Sequence, residues 1–359
     1  MNKGPLDAIV VGAGIIGTSI AWRLSQSGLK VCLMDSGAVG REASWAGAGM
    51  LAPGGEVEGR SGWAELFLEA GRLYPGYVAE IESESGVSID FRISGALEAA
   101  FDEGECLELR DRARLQESLG IRSEVLDVHN SRELVPGLAE GVVGGVFFPD
   151  DGIVNPRDVT AGLKAACGKH GVLIREGERV AALRASPAGV EAVTGRESLS
   201  AKVAVLAAGA WSGSVEVTVN GVRRPLPRTV PVRGHLLGYA LEPCRLGPIL
   251  RYHHTYLLQR AGGLLVAGSS TEKAGFDRGI DPAIADDIAR RAEHLLPSLR
   301  NASSPEAWIG FRPGLECSEE PLMRREPDSN LWLAYGHYRN GILLAPATAK
   351  IVADQIMSS

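Results

Sequence analysis

Three closely spaced glycines and one acidic residue near the start of the chain have the types and spacing that bind a dinucleotide. Gly12, Gly14 and Gly17 form the pattern GxGxxG, and Asp35 follows. The first glycine permits a tight turn, the second lets the backbone approach a pyrophosphate, and the third lets a helix pack closely on a strand. A carboxylate at Asp35 accepts hydrogen bonds from ribose hydroxyls and repels a 2′-phosphate, which disfavours NADP. These residues predict a dinucleotide site without separating NAD from FAD.

The elements around the glycines follow the order that such a site requires. Residues 8–11 and 30–34 are short apolar runs typical of parallel strands, and the stretch between them predicts a helix. Free N–H groups and the dipole at the start of that helix favour phosphate binding. A βαβ turn that binds nothing is the alternative, but its glycines would weaken packing without any gain.

Two later segments favour FAD over NAD. Residues 40–53 (GREASWAGAGMLAP) are rich in small residues, where a nicotinamide domain usually continues with further βα units. Residues 202–213 (KVAVLAAGAWSG) predict a buried strand that ends in Ala207, Ala208 and Gly209. Small residues in both segments suggest a backbone that lies against a large, flat ligand.

A helix and a meander precede the second of these segments. Asn155 is a good helix cap, and Pro156 suits the first helical turn. After this helix, residues 172–175, 179–183 and 190–193 predict a β-meander that leads into the strand at 203–206.

Two more elements carry candidate site residues. Residues 228–243 predict a strand, and the next segment predicts a hairpin that turns at residues 262–263. Period-2 alternation places His254, Tyr256 and Leu258 on one face of that hairpin. Near the C-terminus, a glycine-flanked loop leads into an amphipathic helix that begins at Asn340 and Gly341, where backbone N–H groups are free to face a ligand.

Length, composition and charge exclude several other classes. A chain of 359 residues predicts two domains, and 45% hydrophobic with 23% charged residues is typical of a globular protein. A net charge of −7 argues against a nucleic-acid partner. The five cysteines are scattered and never spaced as CxxC, which indicates a reducing compartment and no metal site. Residues 8–22 are shorter than the roughly 20 apolar residues of a membrane span, so we expect no membrane contact and a cytoplasmic location.

Four motifs, in chain order, resemble the D-amino-acid oxidase family of flavoproteins: GAGIIG with its acid, SWAGAGM, VLAAGAW and GHYRNGI. Over nearly its whole length the chain is similar to the glycine oxidases of thiamin biosynthesis, most clearly at HHTYLLQR, GFRPG and GHYRNGILLAP. The resemblance implies an α/β fold: a Rossmann-like FAD-binding domain with a second, mainly antiparallel sheet substrate domain. The FAD-binding domain would be discontinuous (1–85, 147–215 and 326–359), and the substrate domain would comprise 86–146 and 216–325.

The resemblance also assigns residues to the substrate. A carboxylate needs a fixed counter-charge, and the planar fork of arginine binds it through two hydrogen bonds. Arg312 matches the family's carboxylate-binding arginine, although by itself it predicts only an exposed arginine. Tyr256 matches the substrate-facing tyrosine. His254, Arg339 and Met50 complete the predicted catalytic set, and their alternatives are a structural histidine, a surface arginine and a packing methionine.

The remaining assignments concern FAD, which the resemblance implies to be bound noncovalently. The residues expected to bind it lie in the small-residue motifs or beside them. They are Gly12, Gly14, Ile15, Ile16, Gly17, Asp35, Ser36, Ala43, Ser44, Gly47, Ala48, Gly49, Val180, Ala208, Gly209, His337, Tyr338, Arg339, Asn340, Gly341 and Ile342.

The implied activity is oxidative deamination of glycine and other small amines, such as sarcosine and small D-amino acids. The products would be the 2-oxo acid, ammonia or amine, and H2O2, with the imine supplied to thiazole synthesis in thiamin biosynthesis. The expected partners are a small amino acid and O2, and the family suggests a homotetramer. A neutral amine gives its hydride to the flavin, and no protein base is strictly required.

Two positions depart from related sarcosine oxidases. Val266 occupies the position where those enzymes carry a lysine, and Cys317 does not fall in register with the cysteine that binds flavin covalently in some of them. The alternatives that stay open are a D-amino-acid or N-methyl amino-acid oxidase or dehydrogenase and a 2-hydroxy-acid oxidase. An NAD-dependent dehydrogenase and a flavin-binding protein without catalysis belong to other classes.

Overall fold

The computed structural model describes residues 5–57, 59, 61–241, 246–316, 318 and 320–359. The α-helices of these residues are, in chain order, α1 Ile15–Gln26, α2 Ala43–Ala46, α3 Pro53–Glu56, α4 Gly62–Ser85, α5 Glu103–Glu117, α6 Val128–Leu134, α7 Pro156–Lys169, α8 Pro282–Leu295 and α9 Gly341–Met357. Short 3₁₀ helices span Gly209–Ser214 and Pro297–Asn301. Among the described helices, none combines the length and the hydropathy needed to span a membrane.

The strands form three sheets. In chain order they are β1 Leu6–Val11, β2 Val31–Met34, β3 Met50–Leu51, β4 Phe91–Arg92, β5 Ala96–Ala100, β6 Glu124–Asp127, β7 Gly144–Phe148, β8 Gly152–Val154, β9 Leu173–Arg175, β10 Val180–Ser186, β11 Gly189–Thr194, β12 Ser198–Leu206, β13 Glu216–Val219, β14 Val222–Arg223, β15 Thr229–Ala240, β16 Ile249–Tyr252, β17 Thr255–Gln259, β18 Leu264–Gly268, β19 Glu306–Leu315, β20 Leu322–Arg325 and β21 Leu331–Tyr335.

The largest sheet is Rossmann-like, as predicted. Its centre consists of β21, β12, β1, β2 and β9, which are all parallel. The predicted strand, helix and second strand of the glycine motif are β1, α1 and β2. Helices α1, α4, α7 and α9 pack together over one core that includes Trp22, Tyr74 and Tyr77. Parallel strands with a helical layer explain why the strand sequences are continuous apolar runs.

The predicted meander is wrong in its first strand. β9 pairs in parallel with β2, and the meander consists of β10, β11 and the N-terminal half of β12. The preceding helix, α7, packs against α1. The chain therefore returns from α7 to the edge of the sheet beside β2. The cap of α7 is as predicted, because Asn155 Oδ1 accepts a hydrogen bond from the Arg157 N–H at 3.2 Å.

The second sheet has eight strands in the order β19-β15-β18-β17-β16-β5-β7-β6, and all its pairs except β16–β5 are antiparallel. This confirms the mainly antiparallel second sheet, with the predicted hairpin as β17 and β18. One face packs against α8 through Leu237, Leu257 and Ile288. The other face packs through Leu236 and Trp308 against Ala46 and Ala48. This second contact brings the face of β15–β19 towards the glycine motif.

The division of the chain into two domains remains a proposal. β13 and β14 (216–223) and β20 (322–325) belong to the largest sheet. We therefore propose that the second FAD-binding segment extends past residue 215 to about residue 223 and that the third begins near residue 322.

Candidate active site

A cavity of about 1080 Å³ lies between the two sheets. The ends of β1, β2, β12 and β21 open into it, because carboxyl ends of parallel strands meet at one edge of a sheet. Binding cavities for small molecules measure roughly 300–1000 Å³, so this one has room for a large cofactor with a small substrate. Every predicted site residue except Gly17 lines it.

The three glycines of the turn serve different purposes. Gly12 has φ +103°, and a Cβ there would overlap Ala207 O. A Cβ on Gly17 would overlap Gly12 O, so Gly17 holds α1 against the turn and does not itself line the cavity. A Cβ on Gly14, in contrast, would meet only Ser44 Oγ, at 3.3 Å. Protein packing therefore requires Gly12 and Gly17 but not Gly14, and the space in front of Gly14 is free for a phosphate group.

Asp35 supports the glycine turn directly. Its Oδ2 accepts a hydrogen bond from the Ala13 N–H at 2.7 Å, and its Oδ1 accepts one from the Gly37 N–H at 2.7 Å. Each carboxylate oxygen has a second lone pair, so ribose hydroxyls can still be bound there. The sequence predicted only the ribose contact, and the contact to Ala13 needed the fold.

Ser44 ties α2 to the start of α1. Its Oγ accepts a hydrogen bond from the Ile15 N–H at 2.9 Å. The N–H group of Ile16, which lines the cavity, is also in the first turn of α1 and has no acceptor within the helix. Such a helix start favours an anion. The turn, the free N–H group and the open space at Gly14 fit the pyrophosphate of a dinucleotide.

The second sheet holds the small-residue segment in place. Trp308 Nε1 donates to Ala46 O at 2.9 Å. Arg260, which is buried, donates from Nη2 to Gly47 O at 3.1 Å and to Ala48 O at 3.2 Å. Gly49 is required here, because a Cβ would overlap Val154 O. Sequence reasoning missed Trp308 and Arg260, since neither lies in a motif with the segment that it holds.

The C-terminal loop closes the cavity from a third side. Tyr338, Asn340 and Ile342 line it at the start of α9. His337 also lines it, but its ring is buried and its Nε2 lies 3.0 Å from Thr348 Oγ1. Burial lowers the pKa of His337 to about 3, so the imidazole is neutral at physiological pH.

The buried His337 is expected to make the folded state less stable in acid. The unfolded chain protonates this imidazole near pH 6.5, whereas the folded protein does so only near pH 3. Because the unfolded state binds the extra proton, stability falls as the pH drops through this window. Between pH 7 and pH 5 the expected loss from this residue is about 2 kcal/mol. Urea unfolding at both pH values should show a smaller loss for His337→Gln, and equal losses would contradict the assignment.

Arg312 lies on β19 with its guanidinium over Gly234, where a Cβ would overlap it. Its Nη1 donates to Ser270 O at 3.0 Å, and its Nη2 donates to Ser269 Oγ at 2.9 Å. Within the described part of the chain no carboxylate pairs with it. A half-buried guanidinium fixed by neutral groups at the wall of a cavity is suited to bind an anionic ligand.

Tyr256, on β17, lies near Arg312. Its ring rests against Gly268, where a Cβ would overlap the phenol. Burial raises the pKa of Tyr256, and the positive charge of Arg312 opposes this shift. The phenol therefore keeps its proton and can donate a hydrogen bond to a carboxylate at Arg312.

The three weaker candidates have different environments. His254 is exposed in the turn before β17, one residue short of the strand predicted to carry it. Arg339 is paired, because its Nε and Nη2 each lie 3.0 Å from Glu56 Oε2. Met50 begins β3 and packs beside the apolar cluster of the second sheet. Arg312 is thus better suited than Arg339 to hold a substrate carboxylate.

A Rossmann-like sheet with an open glycine turn, facing the Arg312 guanidinium on a second sheet, is typical of a dinucleotide-dependent enzyme. The comparisons specify the class. The chain belongs to the DAO family of FAD-dependent oxidoreductases, because the sequence model of that family matches residues 7–355. It is an enzyme of that family, and its cofactor is FAD.

Individual relatives match along nearly the whole chain. Glycine oxidase of Bacillus licheniformis is 30% identical over 98% of this chain and 93% of its own length. The bifunctional protein ThiO/ThiG of Synechocystis is 33% identical over 98% of this chain, which spans 51% of that protein. The crystal structure of glycine oxidase from Geobacillus kaustophilus superposes with a TM-score of 0.92 at 28% identity, covering 99% of this chain and 96% of that one.

FAD is expected to be bound without a covalent bond. Cys32 and Cys167 are buried in the cores, and neither they nor Cys106 line the cavity. Cys317, the cysteine weighed above, lies outside the described residues, as does Cys244. Acid precipitation of the yellow protein should release free FAD into the supernatant. Flavin that remains in the pellet and on a Cys317 peptide after proteolysis would show a covalent bond.

Proposed function

We propose that the protein oxidises glycine and other small amines, including sarcosine and small D-amino acids, with FAD and O2. The oxidation gives an imine and H2O2, and water then hydrolyses the imine to the 2-oxo acid and ammonia or the amine. The observation that carries the proposal is Arg312, a fixed guanidinium at the cavity wall with no acidic partner among the described residues. Similarity to glycine oxidases at about 30% identity over nearly the whole chain supports it.

The chain's own residues bind and orient the substrate. Arg312 binds the carboxylate through its planar fork, and the Tyr256 phenol donates a further hydrogen bond to it. Two fixed contacts at one end of a small amine set the direction of its Cα–H bond, which is the main contribution of the protein. When bound, FAD would supply the redox chemistry of the site, as an acceptor of two electrons that O2 can reoxidise. The glycine turn, Asp35 and the start of α9 would hold it.

The physiological role is part of the same proposal. The motifs resemble glycine oxidases of thiamin biosynthesis, so we propose that the imine product serves thiazole synthesis. Similarity to bifunctional ThiO/ThiG proteins supports this role. The cytoplasmic location and the homotetramer remain predictions.

Anaerobic mixing with glycine tests the reaction. We expect the oxidised flavin band to bleach, and admission of air to restore it with release of H2O2 and ammonia. Bleaching by a 2-hydroxy acid but by no amine would move the protein to the hydroxy-acid branch. Bleaching by glycine without recovery in air would show a dehydrogenase with another electron acceptor.

A further inference from the structure

A second arginine lies on the same sheet face as Tyr256 and belongs to no motif. Arg251, on β16, is opposite Tyr256 of β17 on one side and opposite Glu98 of β5 on the other. Directly opposed residues of neighbouring strands share a face. Arg251 and Glu98 both line the cavity that Arg312 and Tyr256 line. The cavity therefore continues past Tyr256, away from Arg312, to a second guanidinium.

Two of the three guanidinium nitrogens of Arg251 make no hydrogen bond within the described residues. The residue is 7% exposed. Its Nη1 lies 3.3 Å from Asp151 Oδ2 and its Nη2 lies 3.6 Å from Glu98 Oε2, but Nε and Nη2 donate no hydrogen bond to any described residue. Buried guanidinium nitrogens without hydrogen-bond acceptors are costly to the fold. An acceptor supplied by a ligand would remove this cost.

Both neighbouring carboxylates also accept hydrogen bonds from other groups. Glu98 accepts a hydrogen bond from Arg112, and Asp151 Oδ1 accepts one from the Gly54 N–H at 3.2 Å. Burial raises the pKa of Asp151 to about 6, although Arg251 lowers it. Asp151 is therefore mostly ionised at neutral pH and becomes protonated as the pH falls towards 6. Arg251 has two carboxylates nearby, but neither accepts a hydrogen bond from its Nε or Nη2.

The guanidinium of Arg251 packs closely against the backbone of α3. Gly55 follows the start of α3, and a Cβ at Gly55 would overlap Arg251 Nη1. Only glycine at position 55 lets the guanidinium take this place, and Arg251, Gly55 and Glu56 all line the cavity. The residues around Arg251 therefore form a continuation of the substrate site.

We propose that Arg251 binds a second carboxylate of the substrate, so that the preferred substrates are amino acids with an acidic side chain or an acidic N-substituent. One carboxylate lies at Arg312 and the other at Arg251, with Tyr256 between them. This inference rests on the proposed amine oxidation and refines its substrate class. Both substrate classes carry a second carboxylate. The test decides whether that carboxylate is attached through the nitrogen or through the side chain on Cα.

Pairs of substrates that differ only in charge test the proposal. Iminodiacetate is compared with N-(carbamoylmethyl)glycine, and D-aspartate with D-asparagine, as ratios of kcat/KM. We expect the acid to be preferred at least about tenfold in one pair, as for a close charge pair. The Arg251→Met variant should reduce that ratio to near 1, and Arg251→Lys should keep part of it. Arg290→Met, on the exposed side of α8, is the matched control and should keep the full ratio.

Two outcomes would overturn the proposal: no preference for either acid in the wild-type protein, or an unchanged preference in Arg251→Met. The wild-type ratios decide even if that variant fails to fold. Binding of malonate and succinate, compared with acetate and followed through the flavin absorbance, gives a readout that needs no turnover. If no amine is oxidised but dicarboxylates bind through Arg251, the amine reaction fails and this site stands. If amines are oxidised with no dependence on the second charge, the amine reaction stands and the Arg251 site fails.

Discussion

Replacing Gly14 by valine is expected to give a folded but colourless protein. The valine side chain would project from the start of α1 into the space where the pyrophosphate of FAD lies, and it meets little protein there, since the nearest atom to a Cβ is Ser44 Oγ at 3.3 Å. The fold should therefore persist while FAD binding is lost. The measurement is the flavin absorbance per chain of the purified variant, together with its circular dichroism spectrum.

Gly168→Val is the matched control for this change. Gly168 lies in α7, its Cβ would meet nothing within 4 Å, and it does not line the cavity. This variant should purify yellow with FAD at the wild-type ratio. If Gly14→Val purifies with a full complement of FAD, the glycine turn does not bind the cofactor.

Replacing Arg312 by alanine is expected to raise KM for glycine by orders of magnitude and to leave the flavin spectrum nearly unchanged. Truncating one partner of a hydrogen-bonded charge pair costs about 2–5 kcal/mol, which corresponds to roughly 30-fold to several thousand-fold in affinity. Glycine has little other surface to contact, so its binding depends mainly on this carboxylate contact. Steady-state kinetics and the absorbance spectrum measure both effects.

Arg290→Ala controls for the loss of an arginine at an exposed position, where its partner is Asp287. KM for glycine should stay at the wild-type value in this variant. If KM for glycine in Arg312→Ala stays within a few-fold of the wild-type value, Arg312 does not bind the substrate carboxylate. Arg312→Lys keeps the charge but not the planar fork, so we expect an intermediate KM.

Much of the fold followed from local patterns. The βαβ unit, the cap of α7 at Asn155 and the hairpin of β17 and β18 all depend on residues close together in the chain. β9 was placed wrongly because a three-residue apolar strand carries no information about its partner. Its position beside β2 depends on where α7 packs, which is a contact between distant segments.

The candidate site also has features that local motifs predicted and features that only the fold decided. Motif spacing identified part of the cavity lining, since backbone geometry within a turn is set by its own residues, but it did not identify Glu98 or Arg251. It could not show that Arg339 is paired with Glu56, whereas Arg312 has no acidic partner within the described residues. Both are arginines in glycine-containing motifs, and only their surroundings in the fold distinguish them.

The amino-acid sequence by itself determined the class of cofactor site, because the order strand, glycine turn, helix, strand and acid is a local property that needs no other part of the chain. The tertiary structure alone decided which charges meet in the cavity. Arg251 is opposite Tyr256 within the local hairpin of β16 and β17, but it is opposite Glu98 only because β16 also pairs with β5, from a distant part of the chain. A shift of one residue in that register would turn the guanidinium to the opposite face of the sheet. Long-range strand pairing therefore sets the electrostatics of the substrate site, and no motif records it.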